Sequence, residues 1–180
     1  MVTHLVLLRG INVSGTKMIK MESLKKSLEE IGYTNLKTYI QSGNVFIDSE
    51  EENSNKIAFD TKQQIFKTFG FDVPCIVLAK SDLEKCLTNN PFLKEKDCNT
   101  KKLYVAFTSK LLTDQSIHDL KISAIKPDEV AIEENRMYIK YFDSPAKTRL
   151  DTNYIEKKLV LNATIRNWNT INKLLEMFVS

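Results

Sequence analysis

Long apolar runs are missing from this chain of 180 residues. Those present, such as Leu5–Leu8 and Cys75–Ala79, have the length of a strand and are far too short to cross a bilayer. Met1 leads straight into a strand-like segment, without the basic, apolar and small-residue regions of a secretory signal. Cysteine is scarce as well. Cys75, Cys86 and Cys98 are odd in number and irregularly spaced, which fits neither a disulfide framework nor a zinc knuckle. Reduced thiols in the cytoplasm are the expectation. His4 and His118 are the only histidines, and neither has a nucleophile or a metal ligand at a telling spacing. No metal site and no cofactor are expected. The net charge of +3 is too small to argue for nucleic-acid binding by itself. Walker, G-x-G-x-x-G, H-E-x-x-H, G-x-S-x-G and paired CxxC motifs are all absent, so no catalytic residue can be assigned.

What is present suits a folded chain. Apolar residues make up 42% and charged residues 27%, ordinary values for a globular protein and too apolar for disorder. Positive charge gathers in two places. Residues 147–173 hold six Lys or Arg against two acids, and residues 9–26 hold five against one. Solvated helix faces account for such clusters more readily than binding surfaces do.

Hydrophobic periodicity gives the order of elements. His4–Arg9 reads as a strand buried on both faces. Met21, Leu24, Leu28 and Ile31 recur at helical spacing ahead of Gly32. Residues 36–40 and 45–47 flank Gln41-Ser42-Gly43-Asn44 as a hairpin. Ile57, Thr61, Ile65 and Phe69 mark a second helix ending at Gly70. Residues 73–79 form a fourth strand whose Pro74 suits a sheet edge, because proline cannot donate to a ladder. This β-α-β-β-α-β order is the split-βαβ, ferredoxin-like signature.

Ser81-Asp82-Leu83-Glu84 reads as a capping box opening a connecting helix. A related series follows: a strand at 103–107, a helix around 114–122, a hairpin about Glu134-Asn135 and a helix through Leu150, Tyr154, Ile155 and Leu159. The chain then closes on a further helix. The expectation is an α+β protein with a ferredoxin-like sub-domain at 1–80 and a connecting helix and loop at 81–100. A second sub-domain at 101–180 is a βαββα unit ending in an extra helix.

Three polar motifs stand out. Arg9-Gly10-Ile11-Asn12 ends the first strand, and Gln41-Ser42-Gly43-Asn44 forms the hairpin. Split-βαβ geometry puts both at one edge of the sheet and makes strands one and three neighbours. Arg9, Asn12, Ser42 and Asn44 are therefore expected to converge, a set suited to phosphate or carboxylate. Equally, the glycines can supply positive φ and the asparagines can cap their own turns. The third motif, Thr164-Ile165-Arg166-Asn167-Trp168-Asn169-Thr170, reads as a helix start. Thr164 is its N-cap, Trp168 is a core anchor, and Arg166 and Asn167 lie in the first turn beside free N–H groups. A buried ion pair would explain Arg166 equally well.

On these three motifs, with Asn90-Pro91-Phe92 and Lys147-Thr148-Arg149-Leu150, the chain resembles the domain of unknown function 1697 family over nearly its whole length. The resemblance implies a bacterial-type cytosolic protein with two α+β sub-domains. It brings no activity, cofactor or catalytic residue. Thr148 stands where similar proteins often carry serine, which leaves the hydroxyl in place.

The functional expectation is binding of an anionic, phosphorylated small molecule such as a nucleotide at a polar cleft. Arg9, Asn12, Ser42, Asn44, Arg149, Arg166 and Asn167 are the candidate residues. The alternatives are a scaffold or protein-interaction role, nucleic-acid binding, and a transferase or hydrolase lacking an evident base. Nucleic acid ranks low as a partner, because the third strand lacks the aromatic pattern of RNA-binding sheets. No membrane partner is expected, and the sequence leaves the oligomeric state open.

Overall fold

The computed structural model describes residues 1–178. The chain divides into two units, Met1–Asp82 and Leu83–Ser180. In the first, β1 (Val2–Leu8), β2 (Thr34–Tyr39), β3 (Asn44–Ser49) and β4 (Cys75–Leu78) form an antiparallel sheet in the order β2-β3-β1-β4. Helices α1 (Met21–Glu29) and α2 (Ser54–Phe69) connect them. Alternation along each strand sends Val6, Leu8, Val45, Ile47 and Val77 into a core with Leu24 and Leu28 of α1 and Ile57 and Ile65 of α2. Burying each such side chain contributes roughly 1.5–3 kcal/mol, so this layer is the main source of the unit's stability. The other sheet face carries Leu5, Leu7, Phe46, Ile76 and Leu78, which are also buried.

Local signals set the element ends. Asn53 caps α2 by accepting from the Asn55 and Lys56 N–H groups at 3.0 and 3.2 Å. Gly70, at φ 73°, closes the same helix through its N–H to the Phe66 carbonyl. Pro74 immediately precedes β4, which pairs with β1 alone and forms one edge of the sheet. A proline there removes no ladder bond.

The second unit repeats the plan. Its strands β5 (Leu103–Thr108), β6 (Glu129–Glu133), β7 (Arg136–Lys140) and β8 (Ala163–Asn167) stand in the order β6-β7-β5-β8, again antiparallel. Helix α3 (Lys80–Asn89) spans the division between the units. The crossovers are α4 (Asp114–Asp119) with α5 (Ile122–Ile125), and α6 (Thr152–Leu159), and α7 (Trp168–Phe178) follows the last strand. The core gathers Ala106, Met137, Ile139, Tyr141, Leu150, Ile155 and Ala163.

Two segments differ from their reading in the sequence. Helix α3 already begins at Lys80, so Ser81 lies inside it and opens no capping box; the Ala79 N–H donates to the Asp82 carboxylate at 2.8 Å instead. The second difference is at the end of the chain. Residues 163–167 are not the first turn of the last helix but strand β8, paired with β5. Ala163 and Ile165 face the helical core, and Thr164 and Arg166 alternate with them. The N-cap is accordingly Asn167, whose Oδ1 accepts from the Thr170 N–H at 2.8 Å, and not Thr164. The apolar stripe from Trp168 through Ile171 and Leu174 is helical as expected. Among the described residues, no helix is long and apolar enough to cross a membrane.

Candidate functional site

In the first unit, β1 ends at the rim where the β2–β3 turn lies. The Leu8 N–H donates to the Gly43 carbonyl at 2.8 Å, and the Arg9 N–H donates to the Pro74 carbonyl at 3.0 Å. Gly43 must be glycine: its φ is 81°, and a Cβ would stand 2.7 Å from the Leu8 Cβ. Asn12 ties the loop together. Its Nδ2 donates to the Ile19 and Gln41 carbonyls at 3.0 and 2.9 Å, and its Oδ1 accepts from the Ile19 N–H at 2.8 Å. Asn44 is fully buried and donates to the Tyr39 carbonyl at 3.1 Å and to the Ser42 hydroxyl at 3.2 Å. The four residues do meet at one rim, with Arg9 and Ser42 half-buried there. The two asparagine amides are engaged in holding the loop and the turn.

The remaining candidates lie in the second unit. Arg166, on β8, is buried and donates to the Thr164 hydroxyl at 2.6 Å and the Ile165 carbonyl at 3.0 Å. Burial pushes its guanidinium down to about 10. Asn167 is the α7 cap, with its acceptor oxygen on the Thr170 N–H. Arg149 is the exception, because it lines a cavity.

That cavity measures about 470 Å³ and is formed by residues 123–128, 142–144 and 147–149. The first segment leads into β6 and the second leaves β7, and Glu129 pairs with Lys140. The hollow therefore sits at the end of the sheet opposite the β6–β7 turn. Buried Asp128 joins the two walls: it accepts from the Phe142 N–H at 2.9 Å through one oxygen and from the Thr148 hydroxyl through the other. The Thr148 hydroxyl in turn accepts from the Leu150 N–H at 2.9 Å, and the Tyr141 hydroxyl donates to the Leu150 carbonyl at 2.8 Å. Burial holds the Tyr141 phenol well above its ordinary pKa, so it remains a donor at neutral pH. These bonds fix the backbone on either side of Arg149.

The wall is polar and asymmetric in charge. Lys147 pairs with Asp143 at 2.7 Å, and Asp128 is committed as described. Lys126 and Arg149 have no hydrogen bond or ion pair among the described residues. Two cations without carboxylate partners thus face a hollow large enough for a small ligand. No group of His, Cys, Asp and Glu among the described residues could hold a metal ion. Lys126, Asp128 and Phe142 carry no sequence pattern that marks them; only the Lys147–Leu150 motif pointed toward this region.

Two antiparallel sheets with the same strand order make this a protein of paired ferredoxin-like α+β units. The family model described as "Protein of unknown function (DUF1697)" matches residues 1–138, and the chain belongs to that family. The match ends within β7, before Phe142 and Arg149. A conserved bacterial protein of Streptococcus pneumoniae, SP0830, has a similar structure, with a TM-score of 0.72 and 23% identity over 98% of each chain. At that identity the likeness concerns the fold. No curated protein matches the chain by sequence.

Proposed function

We propose that the chain binds an anionic, phosphorylated small molecule in the hollow of its second unit. The carrying observation is the pair Lys126 and Arg149, both lining the cavity without an acidic partner among the described residues. A guanidinium offers a phosphate or carboxylate two parallel hydrogen bonds, and a lysine adds a mobile charge. Ser123 and Ser144, on the same wall, supply hydroxyl donors. The protein works in the cytoplasm on this reading, in keeping with three cysteines that form no disulfide.

Thermal-shift titration of the full chain with inorganic phosphate, sugar phosphates and nucleotides tests the proposal. A ligand at 100 times its Kd raises stability by about 2.7 kcal/mol. Lys126→Ala and Arg149→Ala, both exposed, should abolish the shift while leaving the ligand-free melting point within about a degree or two. Absence of any shift with every anion, or a shift that survives both substitutions, rejects the site.

A second reading applies to the first unit. Asn12 and Asn44 spend their amides on the loop and turn, which favours a scaffolding role for those motifs. Binding of single-stranded RNA across the first sheet has less support, because Phe46 of β3 is only 2% exposed and offers no stacking face.

A further inference from the structure

We infer that the ligand of the second-unit hollow carries a planar aromatic ring beside its anionic group, and that Phe142 is the surface on which the ring stacks. The inference rests on the anion-binding reading of the same cavity and narrows its ligand class to aryl or nucleoside phosphates.

Phe142 lines the cavity and is 65% exposed. Isolated exposed apolar side chains are ordinary, but this one is held in place. Its N–H donates to the buried Asp128 carboxylate at 2.9 Å, and its carbonyl accepts from the Lys102 ammonium. The same ammonium stands 5.5 Å from the ring centroid, a cation–π contact that occupies one face. On this inference the planar partner stacks on the opposite face, and offset stacking there removes apolar area of both rings from water. Pro127 adds apolar surface to the wall beside Lys126. Apolar, aromatic and cationic groups therefore share one hollow of about 470 Å³, within the size range of small-molecule sites. A bare phosphate would use the cations and leave the ring unsatisfied; a nucleoside monophosphate would use both.

Calorimetric titration of the full chain with adenosine 5′-monophosphate, ribose 5-phosphate and adenosine separates these contributions, using wild type, Phe142→Ala and Phe142→Tyr. The exposed ring makes folding of both variants straightforward. In wild type the monophosphate should bind at least about fivefold more tightly than ribose 5-phosphate, the low end of what stacking supplies. In Phe142→Ala that ratio should fall to near one with ribose 5-phosphate binding unchanged, and Phe142→Tyr should restore it. Equal binding of the two phosphates to wild type, or a ratio that persists in Phe142→Ala, overturns the stacking inference and leaves anion binding standing. Adenosine binding as tightly as its monophosphate removes the anion reading instead. Failure of all three compounds to bind rejects both.

Discussion

Asn44 and Arg136 hold the same position in the two units. Each begins the third strand of its sheet, Asn44 opposite Leu7 and Arg136 opposite Phe107, and each is fully buried. Each side chain also folds back on the turn before it. Asn44 reaches Tyr39 and Ser42, whereas Arg136 reaches the carboxylates of Glu134 and, at 3.6 Å, Glu133. Asn44→Ala leaves the turn carbonyl without its donor and should cost roughly 1–3 kcal/mol. Arg136→Ala strips a buried cation from its acids and should cost roughly 3 kcal/mol or more. Urea unfolding checks both, and a loss under half a kcal/mol at either position removes its structural role.

Gly43 and Gly15 give a matched comparison. Both have positive φ, at 81° and 75°, but only Gly43 has neighbours where a Cβ would go. Gly15→Ala should lose about 1 kcal/mol, from backbone strain alone. Gly43→Ala adds a clash with Leu8 and Ile11 and should lose roughly 2–4 kcal/mol, since overpacking adds about 1–3 kcal/mol. Equal midpoints for the two variants in a denaturant titration would show that the approach to Leu8 is harmless.

Asp48 links stability to pH. Hydrogen bonds from Asn35 at 2.7 Å and Thr3 at 2.6 Å favour its carboxylate and hold it below the ordinary aspartate range. A carboxyl whose folded pKa is depressed stabilises the fold above its unfolded pKa of about 3.9 and loses that contribution as pH falls through the folded pKa. The stability advantage of wild type over Asp48→Asn should therefore be present at pH 6 and shrink toward pH 2. A difference that stays constant across that range contradicts the assignment.

His4 is 4% exposed on β1, and neither ring nitrogen has a hydrogen-bond partner among the described residues. Polar atoms buried in this way cost stability that a hydrocarbon of similar size does not. His4→Leu should raise stability by roughly 0.5–2 kcal/mol, read as a higher urea midpoint with an unchanged slope. A lower midpoint would mean that the imidazole is engaged.

The sequence displays most of the architecture because the strands and helices have clean periods. The two-sided burial of Leu5–Leu8 and the edge position after Pro74 both follow from residue chemistry alone. Strand β8 is harder to see. It is five residues long and runs directly into α7, so the spacing of Ile165 and Trp168 mimics a helix. The opposing signal, alternation of Ala163 and Ile165 with Thr164 and Arg166, becomes decisive only beside β5. At the first rim the sequence brings the right residues together but is silent on their use, because asparagine serves a turn and a ligand with the same atoms. The second-unit hollow is nearly invisible in the sequence, since Asp128, Phe142 and Arg149 meet only through the sheet.

The three bonds of Asn12 join residues 12, 19 and 41 at one side chain. Excursions of residues 10–19 away from the sheet must break all of them together, so this segment opens as one cooperative piece rather than fraying from its middle. The Ile19 amide should then exchange with solvent deuterium far more slowly than its place in an irregular connection suggests, and Asn12→Ala should release that protection in a single step.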